Sequence, residues 1–99
     1  MRTRDKGFKD YDFKSGEEKQ LKKYCRGPDF GECDMLKQSA ILSNPLLSEE
    51  LYESIVEGVS YDKMSTTKDL HISKNDFYGY QRKCLWIFKN LLRQQGKWH

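Results

Sequence analysis

The side chains able to ligate a metal or move a proton are Cys25, Cys33 and Cys84, His71 and His99, and the row Glu49, Glu50, Glu53 and Glu57. Zinc binding needs four such ligands in close pairs, and Cys25 and Cys33 stand eight positions apart with no near partner. The four glutamates fall at helical spacing and read as one helix face, with no nucleophile and base combined in a local motif. No enzymatic activity, metal site or cofactor is therefore expected. An odd number of cysteines with no secretion signal reads as free thiols in a reducing compartment. No apolar stretch follows the basic start, so no signal peptide is expected there. The longest apolar run, Leu85-Trp86-Ile87-Phe88, falls far short of the ~20 residues that span a bilayer. A cytoplasmic protein with no membrane partner is the expectation.

A second chemistry, recognition without reaction, is suggested by charge. Residues 1–28 carry nine Lys/Arg against five acids, residues 29–62 one lysine against eight acids, and residues 63–99 eight Lys/Arg against two acids. The net charge of +3 conceals this segregation. A basic C-terminal third is the electrostatic footprint of a polyanion binder, although a solvated basic helix face carries the same charge.

Positioning those side chains falls to a single domain, because 99 residues leave no room for a second. Aromatics at 13% are too many for a solvated tail. Residues 1–14 alternate charges with Phe8, Tyr11 and Phe13 and read as a flexible basic arm whose aromatics dock on the core. Residues 15–99 form the helical domain. Ser15 to Glu18 is a capping box opening a helix to about Arg26, with Leu21, Tyr24 and Cys25 inward and Gly27-Pro28 as its stop. Asp29 to Glu32 is a second box, opening a helix with Met35, Leu36, Ser39, Ala40 and Ile41/Leu42 along one stripe.

Asn44-Pro45 starts a third helix with Leu47, Leu51, Tyr52, Ile55 and Val56 inward, the four glutamates outward and Gly58 at its end. Ser60 caps a short helix over about 61–69, irregular at Ser65-Thr66-Thr67, with Met64 inward. Ser73 caps the longest helix, which sets Phe77, Tyr80, Cys84, Ile87/Phe88 and Leu91 on one stripe widened by Leu85 and Leu92, and Gly96 ends it. No segment alternates at period two. The expected fold is all-α, a compact bundle of about five helices with a C-terminal helix-turn-helix at about 60–93.

That last unit joins a short capped helix, a turn with the aliphatic Ile72, a serine cap and a long basic helix. The aliphatic locks the two helices, and the cap leaves the first turn of the second free to meet phosphate and base edges. The pattern Gly58-x-Ser60-Tyr61-x-x-Met64 with Ile72-Ser73-x-x-x-Phe77 resembles region 4 of sigma factors. Leu70-His71-Ile72-Ser73 followed by Arg82-Lys83 resembles phage late-gene transcriptional activators sharing that helix-turn-helix. The resemblance covers residues 58–93. It implies a second helix in the major groove, with Lys74, Asn75 and Tyr78 at base edges, joined by Gln81 where it faces outward. It implies phosphate contacts from Lys63, Lys68, Arg82, Lys83 and Lys89, and a basic arm (Arg2, Arg4, Lys6) along the duplex. The corresponding function is sequence-specific DNA binding in transcriptional control, in a phage or mobile element. Its partners are double-stranded DNA, a second copy in a homodimer, and RNA polymerase or another host protein.

The competing reading is a helical protein-interaction module, because an acidic third helix beside a basic last helix makes a dipolar surface suited to a charged partner. Trp86 is core in one reading and interface in the other. RNA binding is disfavoured because single-strand platforms set their stacking aromatics on sheets. A membrane-surface helix would show the same aromatic stripe that a buried core helix shows.

Overall fold

The first N–H groups of a helix have no partner within it, and side chains satisfy them at three of the element starts. In the computed structural model, which describes Phe13, residues 16–27 and residues 30–98, the chain is all-helical. The elements are α1 (Glu17–Cys25), α2 (Cys33–Ser43), a 3₁₀ turn (Pro45–Leu47), α3 (Ser48–Glu57), α4 (Tyr61–Ser65) and α5 (Lys74–Gln94). Among the described residues there is no strand. The expected arm, apart from Phe13, lies outside the described residues.

Three caps form as the sequence predicts. Asn44 Oδ1 accepts from Leu46 N at 3.1 Å, Ser60 Oγ from Lys63 N at 3.2 Å, and Ser73 Oγ from Asp76 N at 3.1 Å. Gly58 closes α3 at φ 71°, a conformation in which a Cβ would be strained. Ser73→Ala is expected to cost about 1 kcal/mol, read as a lowered thermal midpoint with no change of fold.

The two capping boxes are corrected. Gly16, at φ 78°, precedes α1 with no side-chain cap, and Ser15 lies outside the described residues. Glu32 precedes α2 without capping it, and Asp29 also lies outside. The Glu32 carboxylate instead accepts from Tyr24 Oη and, at 3.0 Å, from Lys97 Nζ, which ties α1 to the C-terminal segment. Those hydrogen bonds hold Glu32 below the usual carboxylate range, and the same contact pushes Tyr24 up to about 12. Asn44-Pro45 also starts a 3₁₀ turn before α3 rather than α3 itself.

Helix α5 is the centre of the molecule and packs most extensively on α2, with α1 and α3 also against it. Leu21 and Cys25 of α1, Leu36 and Ala40 of α2, and Leu51 and Ile55 of α3 meet Phe77, Cys84, Leu85, Phe88 and Leu92 of α5 in one apolar cluster. The buried stripe of α5 is centred on Leu85 and Leu92, whereas Ile87 and Leu91 are only half-buried. Burial raises the Cys25 thiol to about 12 and the Cys84 thiol further, and both side chains lie inside the core.

Helix α2 departs from expectation on its outer face. Its buried set is Leu36, Ser39, Ala40 and Ser43, at spacings of three, one and three, and Ile41 and Leu42 lie exposed. Ser43 is inside because its hydroxyl donates to Tyr80 O of α5 at 2.7 Å.

Candidate nucleic-acid interface

The α4–α5 unit is held by aromatic side chains. Tyr61 N donates to Tyr78 Oη at 3.0 Å, and Tyr61 Oη donates to Ile72 O. The Tyr61 ring lies 5.6 Å from that of Phe77, which is fully buried. Ile72 is half-buried against the core. Helix α4 is shorter than the predicted 61–69. Ser65, Thr66 and Thr67 each donate a hydroxyl to the carbonyl three residues back, at 2.9, 2.6 and 3.1 Å, which favours a turn over continued helix.

The chain then takes residues 66–73 to reach α5 and passes through His71 at φ 52°. A helix-turn-helix joins its helices in about 3–4 residues, so this link is longer than the motif requires.

The expected contact residues separate into three groups. Lys74 and Asn75 lie exposed on the first turn of α5, Lys63 is exposed on α4, and Lys83 is half-exposed along α5. Lys74 Nζ sits 2.9 Å from Asp62 Oδ2, and the Asp62 carboxylate raises the pKa of its ammonium. An exposed pair of this kind is weak and open to exchange with a phosphate. Tyr78 is half-buried, and its hydroxyl already accepts from Tyr61 N.

Lys68 points toward the acidic face of α3, 3.3 Å from Glu50 and 3.9 Å from Glu53, and Glu50 chiefly raises its pKa. Arg82 is half-buried with its guanidinium 5.3 Å from the centre of the Phe13 ring. Phe13 thus docks on the core as the sequence suggests for the aromatics of the arm.

Two assignments are corrected outright. Gln81 faces inward, 2% exposed, and its amide nitrogen donates to Ser54 Oγ at 2.8 Å, so it cannot reach a base edge. Lys89 is 6% exposed, 3.5 Å from Glu17 Oε1 and 4.9 Å from the centre of the Phe13 ring, so it cannot reach a phosphate. Both lie on faces of α5 that α1 and α3 cover, and no spacing within α5 alone distinguishes a covered cation from a solvated one.

Spacings of seven and four residues do place Asn75, Arg82, Trp86 and Arg93 in line along α5. The alignment of Trp86 and Arg93 with Asn75 was legible from that period. Asp62, as partner of Lys74, was not, because twelve residues and a loop separate them. Among the described residues no group of His, Cys, Asp or Glu could hold a metal, and no helix is long and apolar enough to cross a membrane. Comparison with protein-family models, with curated proteins and with solved structures finds no match to this chain.

Proposed function

We propose that the α4–α5 unit binds double-stranded DNA as the recognition element of a transcriptional regulator, with the first turn of α5 directed into the major groove. The observation that carries this reading is the contrast along α5. From Phe77 onward the helix is the centre of the core, while its first turn projects Lys74 and Asn75 into solvent from a capped, hydrogen-bonded mount. A side chain that reads a base edge needs such a rigid support.

In this reading Asn75 makes the base contact, through the amide pair that matches adenine. Lys74, Lys63, Lys83 and Arg82 supply phosphate contacts that position the helix without reading sequence. Recognition proceeds without a covalent step, and two copies on adjacent half-sites give the affinity that one short helix lacks.

The test is fluorescence anisotropy of a labelled random-sequence duplex titrated with the full chain over a range of salt. Binding that weakens steeply with salt is expected. Lys83→Ala should weaken binding to all duplexes alike and reduce the salt slope by about 1. Asn75→Ala should change the ranking of selected sequences. No binding at low salt, or the same effect from both substitutions, overturns the reading.

A further inference from the structure

Leu46 is 90% exposed, the most solvent-facing of the large apolar side chains described, and it stands on the rim of an apolar groove. The groove, of about 610 Å³, runs between the Pro45–Leu47 turn and the 68–72 segment. Leu47, Leu70 and Tyr80 form its floor, with Ile72 beside them. Ile41 and Tyr52 line a second recess of about 300 Å³ with Lys37, Ser48 and Glu49, in which the one lysine balances the one carboxylate. The Asn44 cap and Pro45 hold Leu46 on a rigid 3₁₀ turn, so its exposure is built into the backbone.

Charge decides what this surface can accept. The main groove is lined by three carboxylates, Glu50, Asp69 and Asp76, against the single lysine Lys68. That lysine is already shared between Glu50 and Glu53, and Glu49 adds to the negative field on it. Two copies meeting through this face would set the α3 glutamates against each other, which a self-complementary interface disfavours. Among the described residues no strand offers an edge for an extended peptide, so the helix-in-groove mode fits the site.

We propose that this groove docks a basic amphipathic helix of a protein partner, its apolar stripe against Leu46, Leu47 and Leu70 and its lysines or arginines against the carboxylate rim. The surface uses neither Asn75 nor Lys83, so its test is independent of the DNA reading.

The experiment measures binding of two labelled peptides of about 15 residues to the full chain. Both contain only leucine and lysine in equal composition. One carries its leucines at helical i, i+3, i+4, i+7 spacing, and the other scatters them around the helix. The striped peptide is expected to bind about ten-fold more tightly than its isomer. Leu46→Asp should weaken the striped peptide about ten-fold even though it adds a negative charge, because an apolar contact is lost. An exposed side chain can be replaced without unfolding the chain, and a thermal melt checks that it has been. Equal binding of the isomers, or binding unchanged or strengthened in Leu46→Asp, would show attraction by charge alone and overturn the proposal. Failure of both peptides to bind, including where sedimentation reveals a Leu46-dependent dimer, overturns it as well.

Discussion

Lys89→Met is expected to destabilise the protein by about 3–5 kcal/mol, read as a lowered urea midpoint. Lys89 and Glu17 each keep only 7% of their side-chain surface exposed, and their charged atoms lie 3.5 Å apart. Trp98 Nε1 donates to the other carboxylate oxygen at 2.9 Å, so the pair also anchors the C-terminal segment on α1. Methionine fills much of the volume of the lysine stem but leaves a buried carboxylate without the adjacent ammonium. Adding Glu17→Leu to Lys89→Met should recover part of the loss, because two apolar side chains then replace a desolvated pair while Trp98 Nε1 loses its acceptor. A solvated phosphate contact behaves differently. Its removal would leave stability within about 0.5 kcal/mol and weaken only DNA binding, and that result would return Lys89 to the interface.

The second large effect is expected at Phe77. The ring is fully buried, 5.6 Å from the Tyr61 ring and 5.5 Å from that of Tyr78. Phe77→Ala should cost about 3–5 kcal/mol from lost burial and the remaining cavity. The loss should not be spread evenly. Helix α4 has five residues and cannot persist without tertiary support, so its amides should exchange hydrogen far faster while those in the middle of α5 keep relative protection. Tyr61→Phe removes the hydroxyl bond to Ile72 but keeps the ring, and should give the same pattern at smaller amplitude. Uniform loss of protection in Phe77→Ala would show that α4 and α5 unfold as one unit.

Local signals carried far wherever a helix begins or ends within a few residues of its determinant. Ser60, Ser73 and Gly58 act in the structure as their chemistry requires, because a cap or a left-handed glycine works over three or four residues. The acidic outer face of α3 and the central aromatic stripe of α5 follow from helical period alone. The capping boxes read at Ser15 and Asp29 mark the limit of that method. Glu32 has the right spacing for a box, yet Tyr24 and Lys97, respectively eight and sixty-five residues away, claim its carboxylate.

The candidate interface shows the same division more sharply. Gln81 stands four residues from both Phe77 and Leu85, so the helical period already sets it on the buried stripe, whereas Lys89 lies at the edge of that stripe, where period alone leaves it free to be covered or solvated. The packing of α1 and α3 made Gln81 and Lys89 interior, and the acidic face of α3 drew Lys68 away from the candidate groove contacts. The exposure of Ile41 and Leu42 arises likewise, because Ser39 and Ser43 take the inward positions through hydrogen bonds to Met35 O and Tyr80 O.

By itself the sequence determined the all-α class, the approximate number of helices, the capped starts of α4 and α5 and the segregation of charge, since each depends on propensity, period and contacts within a turn. Only the tertiary structure decided which polar side chains are solvated, where the apolar groove opens and how α4 is mounted on α5. Those outcomes depend on which faces meet, and burial of a polar group is tolerated only where a distant partner satisfies it.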